Sequence, residues 1–214
     1  MKITKYGHAC VLVEQDEVKI LVDPGEWSTV PELTGLDTLL ITHEHQDHID
    51  IEKISKFVSQ NTSMVIFTNE HVGAILKEKN ISYTRLQDGD AVDVKGVAIR
   101  GMGTEHDIVY GPSSPCENTG YLIHNELFIP GDALTVIPDV PVRVLALPTG
   151  GPWMKFSEAI DYAKKIAPSI VFPIHDAVYT EDVRRGMVPR LMGGHLEKVG
   201  IQFLDLKDGE SIEP

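Results

Sequence analysis

Cysteine is almost missing from this chain: Cys10 and Cys116 are the only two in 214 residues. Two cysteines do not make a disulfide framework, and no C-x-x-C pair offers a thiolate zinc site. They suit a reducing compartment. Long apolar runs are missing too. No stretch approaches the ~20 residues of a membrane span. The opening MKITKYGHAC alternates like a strand and has no signal-peptide apolar core. The expectation is a cytoplasmic protein with no membrane partner. Basic charge is also scarce: 19 Lys and Arg stand against 32 Asp and Glu, a formal net charge of −13. Nucleic-acid binders draw most of their non-specific affinity from phosphate neutralisation by Lys and Arg. With no basic run, long DNA or RNA is not an expected partner. A small-molecule substrate remains open, because a bound metal reverses the local field. A homo-oligomer is left open. The G-x-S-x-G elbow of serine hydrolases is absent as well.

What is present is ordinary globular material, 42% hydrophobic and 24% charged. The length fits one domain over residues 1–214, with no repeat or linker. Residues 2–23 read as a hairpin that turns at Gln15-Asp16-Glu17. Apolar runs at 38–42 and 64–68 predict buried strands, each followed by a helix. Asp50 is placed to cap the first helix, and His71 to cap the second. Residues 81–103 alternate in short strands. Residues 121–123 and 127–129 flank a turn at His124, and 142–147 is another strand. Phe156, Ala159, Ile160, Ala163 and Ile166 fall at helical spacing. A strand at 170–172, a helix near 188–199 and a strand at 202–206 complete an α/β pattern.

The chemistry collects where strands stop. HEHQDH, residues 43–48, follows the first of the buried strands. His106 follows Gly101-Met102-Gly103-Thr104, Asp132 follows Leu127-Phe128-Ile129-Pro130-Gly131, and His175 follows Ile170-Val171-Phe172. Strand ends are rigid, so folds place reactive groups there. On extended chain, residues i and i+2 point the same way. His43 and His45 can therefore face one ion, while Asp47 and His48, past the bend, turn toward a second. Imidazole and carboxylate suit Zn²⁺, Mn²⁺ or Fe²⁺. Seven donors exceed one four-coordinate ion and suit two ions that share a carboxylate.

HEHQDH also resembles the HxHxDH signature of the metallo-β-lactamase-fold hydrolases. The later His106, Gly131-Asp132 and His175 come in that family's order. Tyr6-Gly7-His8-Ala9, Val22-Asp23-Pro24, Pro130-Gly131-Asp132 and Phe172-Pro173-Ile174-His175 are similar to its small, stand-alone, lactonase-like branch. The resemblance implies a four-layer αβ/βα sandwich with the metal site at one edge of two sheets. It implies that His43, His45 and His106 hold a first metal, that Asp47, His48 and His175 hold a second, and that Asp132 bridges them. Two divalent ions, Zn²⁺ foremost with Mn²⁺ or Fe²⁺ as options, would supply a bridging hydroxide. Asp47 would orient it and move its proton. Small esters, lactones and phosphodiesters are the implied substrates. His at position 45, where the redox di-iron branch carries Glu, points to hydrolysis. Other readings are a metal-binding or ligand-sensing protein without turnover, and a mononuclear iron oxygenase. His8 either lines the pocket or makes a structural hydrogen bond. Asp23 either orients a metal-bound imidazole or simply forms a turn.

Overall fold

Alternating β-branched residues open the chain as strands. In the computed structural model of the protein, which describes residues 1–111 and 116–214, β1 (Lys2–Lys5), β2 (Val11–Gln15) and β3 (Val18–Val22) form an antiparallel meander. Asp16 turns the β2–β3 hairpin at φ 54°, a left-handed conformation that Asp tolerates better than most residues. β4 (Thr38–Ile41), β5 (Val65–Thr68) and β6 (Thr84–Arg85) then add in parallel. The crossovers between them carry α1 (Ile51–Gln60) and α2 (Glu70–Glu78). Asp50 caps α1 by accepting the amides of Glu52 and Lys53. Asn69, not His71, caps α2: its side chain accepts the Val72 amide at 3.1 Å, and His71 already lies in the first turn.

A second sheet begins with β7 (Ala91–Val94), β8 (Val97–Met102), β9 (Gly120–Ile123) and β10 (Leu127–Ile129), all antiparallel neighbours. β11 (Val144–Pro148), β12 (Ile170–Ile174) and β13 (Gln202–Phe203) continue it in parallel. α3 (Phe156–Ile166) makes the crossover from β11 to β12. β14 (Ser211–Ile212) returns to the first sheet, beside β1. One core fills the space between the sheets, from Ile3, Val13 and Ile20 to Ile99, Ile129 and Phe172. α1 and α2 cover the outer face of the first sheet, and α3 that of the second. The result is the four-layer αβ/βα sandwich that the resemblance implied.

The tail differs from the expected helix. Residues 183–193 form wide turns, with the Val188 amide reaching back five residues to Val183 O. Single tight turns follow to Val199. Pro189 has no N–H to donate into the 183–188 turn and its ring crowds that turn, which favours the wider spacing there. The last expected strand stops at Phe203. There Leu204 donates one further bond to Val171 O, and Leu206 folds back on Leu204 O.

Direction fixes where the chemistry lies. β8 and β10 both run antiparallel to β9, and β10, β11 and β12 are parallel. The carboxyl ends of β8, β10 and β12 therefore share one edge. The carboxyl end of β4 meets that edge across the sandwich, where Tyr121 Oη donates to Ile41 O and the Thr119 amide to Thr42 O.

Candidate metal centre

All seven expected donors come together at this edge. They form two groups whose ligand atoms lie within 4.8 Å of one another: His43, His45, His106 and Asp132, and then Asp47, His48 and His175 with His8 added. Asp132 faces both groups. Its Oδ2 lies 3.2 Å from His106 Nε2 and 3.0 Å from His175 Nε2, and its Oδ1 lies 3.3 Å from His48 Nε2. The pocket is closed behind and open in front: His43, His48 and His175 are buried, whereas His45 is exposed and Asp47 half-buried.

Local sequence explains the placement. Gly131 has φ 64°, and a Cβ there would meet Asn118 Oδ1 at 2.2 Å. The same Asn118 oxygen accepts the Asp132 amide at 3.0 Å, so Asn118 sets the turn that aims the carboxylate. Gly25 lets the chain pass the 43–48 loop, since a Cβ there would sit 2.0 Å from Asp47 O. His175 is held at φ 53°, with its amide donating to His8 O at 2.8 Å. Asp23 occupies the turn after β3 and also reaches His48. It accepts the Thr42 amide, the Thr42 hydroxyl and His48 Nδ1 at 2.7–2.8 Å.

These contacts fix the protons on four imidazoles. A carbonyl or carboxylate oxygen can only accept, so the nitrogen against it must carry hydrogen. His48 Nδ1 donates to Asp23, His106 Nδ1 to Asp107 O and His175 Nδ1 to Gly150 O. The Thr42 hydroxyl already donates to Asp23, so at 3.0 Å it accepts from His43 Nδ1. In its neutral form each of these rings therefore turns its Nε2 lone pair into the pocket. His45 approaches His43 Nε2 through its Nδ1, at 3.1 Å.

Charge in the pocket is strongly coupled. Burial keeps His43 well below the usual histidine range, with His48 adding to the effect. Burial also opposes charge on His48 and His175, but carboxylates outweigh it. Asp132 and Asp23 raise His48, and Asp132 and Asp47 raise His175 to about 9. Asp132 lies well below the carboxylate range, because His48, His175 and His43 overcome its burial. Asp47 is lowered against its own burial by hydrogen bonds from His175 and His8. Burial takes His8 down to about 4.

The donor set fits a metal on its own chemistry. Among the described residues, the buried side-chain atoms without a hydrogen-bond partner include His48 Nε2, His106 Nε2 and Asp132 Oδ1. Buried orphans are uncommon and cost ~1–3 kcal/mol each. Three of them facing one pocket are lone pairs that call for an electron-pair acceptor. Trp153, in the loop after β11, is a further neighbour of the donors. Its Nε1 donates to Asp132 Oδ2 at 3.1 Å, and its ring meets the edges of His106 and His175.

A two-sheet sandwich with two His/Asp donor groups at one edge defines the class, a metallo-β-lactamase-fold protein with candidate metal-binding residues. The chain belongs to the beta-lactamase superfamily domain family, whose model matches residues 2–175. Protein Rv0786c of Mycobacterium tuberculosis is 36% identical over 190 residues, covering 86% of this chain and 88% of that one. The UPF0173 metal-dependent hydrolase Ta0764 of Thermoplasma acidophilum is 28% identical over 193 residues, covering 82% of this chain and 83% of that protein. Igni18, a metallo hydrolase from the archaeon Ignicoccus hospitalis, shares the fold with a TM-score of 0.77 at 21% identity, over 99% of this chain and 97% of that one.

Proposed function

We propose that the protein is a metal-dependent hydrolase of small esters or lactones. The observation that carries this reading is Asp132, one carboxylate facing two histidine-rich donor groups. His43, His45 and His106 would hold one divalent ion, and Asp47, His48 and His175 the other, with Asp132 between them. Ions held there would lower the pKa of a water and polarise the substrate's carbonyl or phosphoryl oxygen. The chain's own groups do the rest. Asp23, Gly150 O and Asp107 O keep the imidazoles in the tautomer that points Nε2 inward. Asp47 stays ionised and half-exposed, so it can accept a hydrogen bond from the attacking water and orient it. Trp153 and Asn118 hold the Asp132 carboxylate in place.

The neighbouring space bears on the substrate. A cavity of about 500 Å³ lies beside Trp153, lined by Asp107, Ile108, Glu158, Asp161, Tyr162 and Lys165. Three carboxylates against one lysine disfavour an anionic group. Neutral esters and lactones therefore rank ahead of phosphodiesters. The relatives named as metal-dependent hydrolases support the reaction class.

The test is metal counting on purified protein, followed by a screen of aryl esters, lactones and aryl phosphodiesters. Two zinc or manganese ions per chain are expected, with hydrolysis that chelation abolishes and added metal restores. One iron per chain without hydrolysis would favour an oxygenase. Two ions without any turnover would favour a sensing protein.

A further inference from the structure

His8 stands among the second group of donors, yet its protons are arranged in the opposite sense to its neighbours'. It lies in the loop between β1 and β2, fully buried. Its ring is packed edge-on to Trp27 at 4.9 Å and lies 4.1 Å from the ring of His175. The Ala177 backbone amide donates to His8 Nδ1 at 3.2 Å. A backbone N–H can only donate. His8 Nδ1 is therefore the bare nitrogen and Nε2 the protonated one. That Nε2 lies 3.1 Å from Asp47 Oδ2. His43, His48, His106 and His175 are all fixed the other way, with hydrogen on Nδ1.

We propose that His8 is a positioning residue for Asp47: the Ala177 amide locks it as the Nε2–H tautomer, and in that form it donates to Asp47 Oδ2 and does not bind metal. This rests on the reading that Asp47, His48 and His175 hold an ion. Proximity alone would make His8 a fourth donor of that group. Hydrogen-bond polarity removes it, because a nitrogen that carries a proton has no lone pair in the ring plane to offer. The contact also ties the two sheets together. The carbonyl of His8 accepts the His175 amide while its Nδ1 accepts that of Ala177. One residue of the first sheet's opening loop thus grips the turn after β12 and hands Asp47 its hydrogen bond.

Two measurements test this. Long-range ¹H–¹⁵N spectra of the wild-type protein, zinc-free and zinc-loaded, read the tautomer directly. His8 is expected to keep hydrogen on Nε2 in both states, while His48, His106 and His175 keep it on Nδ1. Loss of the His8 Nε2 proton on zinc loading, or hydrogen on its Nδ1, overturns the proposal. The second measurement is zinc affinity, by chelator competition, for His8→Gln and His8→Asn. A Gln amide reaches the Nε2 position and can still donate to Asp47, whereas Asn reaches only the Nδ1 position. His8→Asn should weaken the second zinc ion by about 10–100-fold, the range for lost outer hydrogen-bond partners. His8→Gln should recover most of that, and neither should change the first ion. Equal losses in both variants, or none in His8→Asn, overturn the proposal. Failure of the wild-type protein to bind zinc, manganese or iron at all would instead sink the metal reading, and the zinc-free spectrum would still decide the His8 tautomer.

Discussion

Asp132 carries more of the site's electrostatics than any other side chain. It touches three imidazoles from both donor groups and takes a hydrogen bond from Trp153. Asp132→Asn keeps the shape and removes the negative charge. At an effective dielectric of ~20, a pair of unit charges 4 Å apart is worth about 4 kcal/mol, so cations on either side would repel with less compensation. Loss of at least one ion is expected, with turnover falling by more than the ~10–100-fold that outer hydrogen-bond partners cost. The metal-free fold should stay intact but melt at a lower temperature, because Asp132 also compensates His48 and His175 there. Two ions still bound and near-normal turnover would remove Asp132 from the site. His175 adds a pH signature. Its folded-state pKa of about 9 lies above the ordinary value of 6.5. Protonated His175 therefore stabilises the metal-free fold fully below pH 6.5, and this is lost as pH rises through about 9. Melting of the chelated protein should drop across that window, and bound zinc should flatten the drop; an unchanged melting temperature from pH 6 to 9.5 would contradict it. The donor residues were legible because HEHQDH, Asp132 and His175 sit directly after apolar strands. Asn118 was not. It acts through loop geometry, and a loop's turn is set by contacts such as Gly131 against Asn118 that no periodicity records.

Elements were legible where one face is apolar and the ends carry punctuation. Asp50 before α1 and the spacing of α3 are such cases. Residues 183–199 were not, because their shape comes from tertiary ties. Arg184 donates to Asp176 at 2.7 Å and to Asp208 at 2.8 Å, and Arg185 to Asp205 at 3.0 Å. Lys5, wholly buried in β1, reaches Asp176 at 2.6 Å. Asp176 follows His175, so this cluster braces the turn that carries the last donor. Burial lowers the Lys5 pKa, and Asp176 works against that shift. Lys5→Met leaves Asp176 buried with only Arg184 to answer it. Breaking a buried pair from one side costs ~3–5 kcal/mol. The remaining guanidinium puts the expected loss at the lower end, about 3 kcal/mol by denaturant unfolding. A loss under about 1 kcal/mol, the worth of a surface pair, would show that Arg184 alone suffices.

Across the whole molecule, charge and topology act separately. The net charge of −13 argues against long polyanions whatever occupies the site. Binding of a 20-base-pair duplex should be undetectable at micromolar protein in physiological salt. Tight binding that weakens steeply with salt would overturn the small-molecule reading. No helix among the described residues is long and apolar enough to cross a membrane. Topology brings β14 back to β1, so Thr4 and Ser211, 207 residues apart, end 2.8 Å from each other. On a ribosome, at ~5–20 residues per second, that separation lasts roughly 10–40 s. For that time the nascent first sheet exposes β1 as an unpaired edge, the kind of template on which chains aggregate. Lys2 and Lys5 flank that strand, and charged edge residues of this kind deter stray pairing. Lys5 thus serves twice in the life of the chain, first as a guard on an open edge and then, once β14 has closed it, as the buried partner of Asp176.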